Sequence, residues 1–296
     1  MSILINQDTE VVVQGITGKE GMRATQSMLD YGTNIVAGVR PGKGGEIVCG
    51  VPVFNTVIEA KEKFPNINTS VIYVPPFAFK DAGLEAIENK IKTINSISER
   101  VPIKDTAYLL AVAKEQNIRV IGPSSIGYIV PNVAKIGIIG GPLINDIFKS
   151  GSVGIISRSG GMTNELAWQI CKNGMGQSTV VHVGGDLLMG TTYTDLLEMF
   201  EKDEQTKVVV LFGEHGGSYE FEIVDYIKNK KFTKPLVVYI GGKFASILPE
   251  GMNIGHAGAI IQRGKGANEK ESCLLSVGVL IAEDYEQLAL IARKYV

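Results

Sequence analysis

Two strings carry residue types suited to covalent phosphoryl transfer. Gly255-His256-Ala257-Gly258-Ala259 sets an imidazole among glycines, and the apolar run Val208–Phe212 leads into Gly213-Glu214, a carboxylate at a strand's end. Histidine can act as a nucleophile. A carboxylate that accepts from one ring nitrogen leaves the other free to attack. A third string, Ser157-Arg158-Ser159-Gly160-Gly161, follows the apolar run Val153–Ile156 and precedes a helix predicted from about Met162 to Lys172. Its hydroxyls, arginine and glycine amides at a helix N-terminus form a cradle for phosphate or carboxylate, and the helix dipole would stabilise a dianion there. Spacing alone also fits the bland alternative for His256, a structural histidine in a glycine turn. His182 and His215 read as structural or local pocket residues.

A second cradle stands near the start. Val11-Val12-Val13 runs into Gln14-Gly15-Ile16-Thr17-Gly18-Lys19-Glu20-Gly21 and a helix that is expected to begin near Met22. Such a strand–glycine–helix turn suits an anionic phosphate, although its spacing is GxxGxxG. An NAD site would place an acid about 20 residues further on, to bond the ribose hydroxyls. Here Ile35–Val39 ends in Arg40-Pro41-Gly42-Lys43-Gly44-Gly45, which offers positive charge instead. That favours a ligand with an extra phosphate on its ribose, NADP or coenzyme A.

Elements must carry these strings to one place. Short apolar runs at Val11–Val13, Ile35–Val39, Val71–Val74, Thr93–Ile97, Val120–Ile121, Val153–Ile156, Thr179–Val183, Val208–Phe212 and Leu236–Ile240 are bounded by Gly or Pro. They read as strands buried on both faces of parallel sheets. Tyr193, Leu196, Leu197 and Phe200 follow helical spacing, as do Tyr285, Leu288, Ala289 and Ala292. Alternating β and α elements predict a doubly wound α/β architecture, with ligands beyond the carboxyl ends of the strands. Pro123, Pro131, Pro142 and paired glycines break the rhythm between Gly122 and Gly151. A boundary near the start of that segment divides the chain into domains 1–125 and 126–296.

Composition narrows the class. The 296 residues carry 29 Lys+Arg against 31 Asp+Glu, which excludes a polybasic nucleic-acid surface. No run of about 18 apolar residues offers a membrane span, and the first residues lack the pattern of a signal peptide. Cys49, Cys171 and Cys273 form no CxxC and share no ligand spacing with the three histidines, so neither a disulfide framework nor a metal site is expected. A cytoplasmic protein is expected, or one of the mitochondrial matrix if a transit peptide has been removed. The 35 glycines, about 12% against an average of roughly 7%, fall in clusters that mark close backbone–ligand approach.

Taken in order, the strings resemble the α subunit of succinyl-CoA synthetase. They are Gly15-Ile16-Thr17-Gly18-Lys19-Glu20-Gly21, Pro41-Gly42-Lys43-Gly44-Gly45, Gly50-Val51-Pro52-Val53-Phe54-Asn55-Thr56-Val57 and Val71-Ile72-Tyr73-Val74-Pro75-Pro76, then Ser157-Arg158-Ser159-Gly160, Gly184-Gly185-Asp186, Gly213-Glu214 and Gly255-His256-Ala257-Gly258-Ala259-Ile260-Ile261. The resemblance implies a Rossmann-type CoA-binding domain followed by a flavodoxin-like ligase domain. It implies CoA contacts at Thr17, Gly18, Lys19, Glu20, Lys43, Ile97, Ser98 and Glu99. His256 would be the phosphohistidine, Glu214 the carboxylate that orients it, and Ser159, Gly160, Gly161 and Asn164 the phosphate or substrate contacts. ATP or GTP with Mg²⁺ would sit on a separate ATP-grasp β subunit, in a heterodimer or heterotetramer. The reaction implied is the tricarboxylic-acid-cycle ligation of succinate to CoA.

Some stretches depart from that family. Gly122-Pro123-Ser124-Ser125-Ile126-Gly127 stands where the family has Gly-Pro-Asn-Cys-Pro-Gly, and Asn164 replaces a substrate-contacting tyrosine. The stretch from Lys135-Ile136-Gly137 to Gly161-Met162-Thr163-Asn164-Glu165-Leu166 is more similar to ATP-citrate lyase and citryl-CoA synthetase. A citrate-type substrate is therefore the alternative to succinate, and a non-catalytic CoA-binding module is the alternative from another class.

Overall fold

The computed structural model describes residues 3–296. The first half contains β1 (Val11–Gln14), α1 (Lys19–Asp30), β2 (Ile35–Val39), β3 (Ile47–Val48), β4 (Val51–Phe54), α2 (Val57–Lys63), β5 (Thr69–Ile72), α3 (Phe79–Glu88), β6 (Thr93–Ser96), α4 (Ile103–Glu115) and β7 (Arg119–Ile121). Its sheet runs β3-β4-β2-β1-β5-β6-β7, parallel except for the β3–β4 pair. The chain winds outward from β1 in one direction and then from β5 in the other. This is the Rossmann arrangement, and its ligand crevice lies where β1 and β5 part. Both strands are wholly buried, as apolar runs without alternation require.

Gly15 governs the exit from β1. Its φ is +84°, and a Cβ there would lie 2.5 Å from the Tyr73 carbonyl oxygen, so only glycine passes this close to the end of β5. Helix α1 then starts at Lys19, three residues before the expected Met22, because Gly18 takes the extended N-cap conformation.

The second half contains β8 (Gly127–Val130), β9 (Ala134–Gly137), α5 (Ile144–Ile147), β10 (Ser150–Ser157), α6 (Gly160–Lys172), β11 (Gln177–His182), α7 (Tyr193–Lys202), β12 (Val208–Glu214), α8 (Tyr219–Lys228), β13 (Leu236–Gly241), α9 (Ala267–Leu275), β14 (Leu280–Ile281) and α10 (Tyr285–Ala292). The sheet order is β14-β13-β12-β10-β11-β8-β9. Its parallel part has the flavodoxin-like order β11-β10-β12-β13-β14, to which the β8–β9 hairpin adds antiparallel strands. In α7 the four residues at helical spacing, Tyr193, Leu196, Leu197 and Phe200, are the buried ones, and Thr192 with Asp195 closes a capping box. Fully burying an apolar side chain of this size stabilises by about 1.5–3 kcal/mol.

All nine expected runs lie in strands, with some ends displaced by up to three residues. The β3–β4 and β8–β9 pairs and the short edge strand β14 are additions to the sequence-based expectation. Gly122–Gly151, read there as a break in rhythm, holds a complete hairpin whose strands are buried on both faces.

One apolar core runs through both halves, joining Met28 and Ile35 of the first to Tyr128, Ile136 and Val181 of the second. Polar bonds seal it. Thr33 Oγ1 donates to the Lys135 carbonyl (2.7 Å), Lys135 Nζ donates to Ser27 Oγ (2.8 Å), and the Asn132 amide donates to Tyr31 Oη (3.2 Å). Two further cores fill the outer face of each half. The angle between the halves is thus fixed by packing. Among the described residues no helix is long and apolar enough to cross a membrane.

Candidate functional site

His256 lies in the loop after β13. Asn253 shapes that loop, its Oδ1 accepting from the Gly255 amide (3.1 Å) and its Nδ2 donating to the His256 carbonyl (2.9 Å). The Gly258 amide ties the loop to the Gly185 carbonyl at 3.2 Å. His256 Nδ1 lies 2.5 Å from Glu214 Oε1 at the end of β12. The carboxylate can only accept, so Nδ1 carries the proton and Nε2 presents its lone pair. The hydrogen bond to Glu214 holds the His256 pKa above its ordinary value despite partial burial, and the Glu214 charge adds to the effect.

Glu214 is braced from behind. Arg158 Nε lies 3.7 Å from its Oε2, while Arg158 Nη2 donates to the Asp186 carbonyl at 2.8 Å and the guanidinium covers the Tyr219 ring. Arg158 is 3% exposed. The sequence suggested an arginine in the anion cradle; the side chain turns inward instead and supports the carboxylate.

Beside His256 opens a cleft of about 570 Å³ between the halves, lined by Glu99, Ser159, Gly160, Gly161, Asp186 and His256 among others. Helix α6 points its N-terminus here. The Ser159 cap accepts from the Met162 amide at 3.4 Å and does not engage the amides of Gly160 and Gly161. Those two donors and the dipole favour an anion at the cleft wall. Glu99 stands opposite, brought from the first half by the loop after β6.

Asp186 was not singled out as a site residue, although its string Gly184-Gly185-Asp186 was among those noted. Its Oδ2 is buried without a hydrogen-bond partner among the described residues, and burial, followed by the Glu99 charge, raises its pKa.

The other candidates fall into two groups. Thr17, Gly18, Lys19, Glu20 and Lys43 follow the carboxyl ends of β1 and β2, on the same sheet edge as Ile97, Ser98 and Glu99 after β6. Gly18 gives α1 no side-chain cap, so that helix also offers free donors. Lys43 is exposed and pairs with Glu46 at 2.7 Å, and Ser98 Oγ donates to the Val74 carbonyl at 2.7 Å. An open helix end, a glycine that admits close approach and a basic loop fit a phosphorylated ligand such as CoA. Asn164 sits apart from this set. It lies one turn along α6 from the cleft wall, where its Oδ1 accepts from the Gly140 amide at 3.2 Å.

The remaining histidines differ in kind. His182 is buried, accepts at Nδ1 from the Ile126 amide (2.8 Å) and contacts the Arg158 carbonyl through Nε2 (3.0 Å). Burial pushes its pKa down to about 4, so it remains neutral, and it lines the cleft beside His256. His215 is also buried, neither ring nitrogen has a partner among the described residues, and burial, then Lys270, lowers its pKa. Among the described residues no group of three or more His, Cys, Asp or Glu side chains is placed to hold a metal.

Comparison with known proteins places both halves in known families. Residues 6–100 match the CoA binding domain family and residues 156–275 the CoA-ligase family. The chain is 46% identical over 288 residues to the succinate–CoA ligase [ADP-forming] subunit alpha of Aquifex aeolicus, covering 96% of this chain and 91% of the relative. It is 47% identical over 284 residues to the Staphylococcus aureus subunit of the same name, covering 95% and 91%. Among solved structures, ATP citrate lyase from Methanothrix soehngenii in complex with citrate and coenzyme A superimposes with a TM-score of 0.91 at 28% identity. That match covers 99% of this chain, which spans only 52% of the lyase chain. The chain belongs to the family of succinate–CoA ligase α subunits.

Proposed function

We propose that this chain is the α subunit of a nucleotide-dependent acid–CoA ligase in which His256 carries the phosphoryl group. The observation that carries this reading is the His256–Glu214 pair, 2.5 Å apart, beside the cleft that holds the open end of α6. Succinate is the acid favoured, since relatives at 46–47% identity over 91% of their length bear that name. Citrate is the second reading, supported by the Asn164–Gly140 contact in the citrate-lyase-like stretch and by the citrate complex of similar fold. The domains proposed are 1–125 for CoA and 126–296 for the ligase.

The geometry supports the following steps. With Nδ1–H held by Glu214, the Nε2 lone pair attacks the terminal phosphorus of ATP or GTP, forming the N–P bond as ADP or GDP leaves. The nucleotide and its Mg²⁺ belong to an ATP-grasp β subunit. The phosphoryl group on Nε2 is stabilised by the Gly160 and Gly161 amides and the α6 dipole. A carboxylate oxygen of the acid then attacks phosphorus, giving an acyl phosphate and free His256. The CoA sulfur, brought by the first domain past Glu99, attacks the acyl carbon. The thiol proton is lost and inorganic phosphate departs. Each step replaces part of one difficult condensation with an easier transfer. A cytoplasmic setting suits these reactants.

Phosphohistidine labelling tests the reading. The chain is co-expressed with its ATP-grasp partner, supplied with γ-labelled ATP, and compared with His256→Ala. Acid-labile, base-stable label on wild type alone supports it, and a chase with CoA plus succinate or citrate identifies the acid. CoA binding without label would reduce the chain to a CoA-binding module.

A further inference from the structure

Glu214 orients His256, yet the bonds that orient Glu214 come from elsewhere. Its main-chain N–H donates to Glu220 Oε1 at 3.3 Å, and its carbonyl accepts from Lys270 Nζ at 2.6 Å. Lys270 Nζ also donates to the Gly216 carbonyl in a short bond and pairs with Glu220 Oε2 at 2.5 Å. The three ammonium protons are thereby all engaged. Glu220 Oε1 in addition accepts from Tyr193 Oη at 3.4 Å. Both side chains are buried, Lys270 at 0% and Glu220 at 2% exposure.

We propose that Lys270 and Glu220 are positioning residues for phosphoryl transfer: they clamp the main chain on either side of His215 and so hold Glu214 against His256. The inference rests on the reading of His256 as phosphoryl acceptor. Glu220 comes from α8, the helix that follows β12 directly, and Lys270 from α9, 56 residues beyond Glu214, so a local and a distant element converge on the last residue of β12. On the opposite side, Gly216 (φ +82°) passes so close to Ile260 of the histidine loop that a Cβ would lie 2.6 Å from the Ile260 carbonyl oxygen. The segment Glu214–Gly216 is therefore held between the ion pair and the loop that carries His256.

Energetics argue the same way. Burying an ion pair is expensive, and a well-packed apolar pair in its place is often neutral or stabilising. A core that required only filling would not need these charges. What an apolar pair cannot supply is the set of bonds to the Glu214 amide, the Glu214 carbonyl and the Gly216 carbonyl. Burial lowers the Lys270 pKa and the Glu220 charge opposes that shift.

The test compares wild type with Lys270→Met and with the double variant Lys270→Met/Glu220→Met, which removes both buried charges together. The Lys270→Met chain leaves Glu220 buried and unpaired and is expected to lose stability. The double variant is expected to regain it, so a folded protein is available for assay. In the double variant the His256 imidazole, followed by NMR titration of the chain alone, shifts down by about one pH unit. Labelling of the complex with γ-labelled ATP slows by about 100-fold, the scale of an ångström-sized misplacement. Glu220→Gln, which keeps size and an acceptor oxygen, serves as the conservative control and retains more labelling than the double variant. An unmoved His256 titration with labelling within about threefold of wild type would overturn the clamp. A wild type that takes no label would instead sink the phosphohistidine reading, and the titration would still decide whether the pair positions Glu214.

Discussion

Gly185 and His256 are in such close contact that a Cβ on Gly185 would lie 2.6 Å from Cδ2 and 3.1 Å from Nε2 of the imidazole. The obstructed neighbour is a side chain on a surface loop, which can move aside. Gly185→Ala is therefore expected to leave the melting temperature within a few degrees of wild type while displacing the ring from its place beside the α6 terminus. Phosphorylation should fall by at least about tenfold, given the sensitivity of such transfers to geometry. Labelling with γ-labelled ATP beside a thermal melt checks both halves of the prediction. A full loss of folding would show that the loop cannot yield.

Glu214→Gln changes the charge while retaining the size. The His256 pKa, held above its ordinary value by Glu214, should fall. In wild type the phosphorylation rate rises with pH as His256 loses its proton, with a midpoint above the usual 6.5. In the variant the midpoint moves down, and the plateau falls because the amide stabilises the developing imidazolium less well. A pH–rate profile of label uptake measures both. An unchanged midpoint would remove Glu214 from its assigned role.

His182 gives the fold an acid limit. Its pKa of about 4 in the folded chain lies below the ordinary 6.5, so between those values the unfolded chain binds the extra proton. Stability from this group is complete above about pH 6.5 and is lost as pH falls towards 4. His182→Ala would leave the Ile126 amide without its partner, at a cost of about 1–3 kcal/mol near neutrality. Urea titrations at several pH values should show that the variant's deficit narrows as the medium becomes acidic.

Lys135 acts at the alkaline end. Burial lowers its pKa to about 8 against an ordinary 10.5, with Asp30 opposing the shift. Between those values the unfolded chain holds a proton that the folded chain has shed, so stability rises with pH across this window. Relative to Lys135→Met, wild type should gain stability from pH 8 to 10. Parallel slopes for the two proteins would show that the amine is better solvated than its burial implies.

Lys43 tests the CoA rim. It is exposed and, among the described residues, pairs with Glu46 alone, so its replacement by alanine should not disturb folding. An exposed charge contact is worth about 0.2–1 kcal/mol, which limits the weakening of CoA binding to about fivefold. The effect should shrink as salt is raised. Titration calorimetry at low and high ionic strength measures it.

The sequence was most informative where one residue type dominates. Apolar runs bounded by glycine and proline located the nine principal strands, and Tyr193, Leu196, Leu197 and Phe200 located the buried face of α7. The β8–β9 hairpin was not legible, because glycine at one end of each four-residue strand and the buried Lys135 within β9 interrupt what would otherwise read as apolar runs. At the site, the strings around Glu214, His256 and Gly160 identified groups that the fold does bring together. Arg158 was misplaced, since its type indicates an anion partner and not whether that partner lies inside or outside. Lys270 and Glu220, 50 residues apart, contact the site through main-chain atoms and leave no spacing pattern to detect.

The core shared by Met28, Ile35, Tyr128 and Ile136 has a consequence for dissection of the chain. Cleavage between β7 and β8 would not release two independent modules. Each fragment would carry half of an apolar core into water, with Thr33 and Lys135 stripped of their mutual bonds. Nicked protein should therefore stay associated and melt in a single transition, while either piece expressed alone should aggregate.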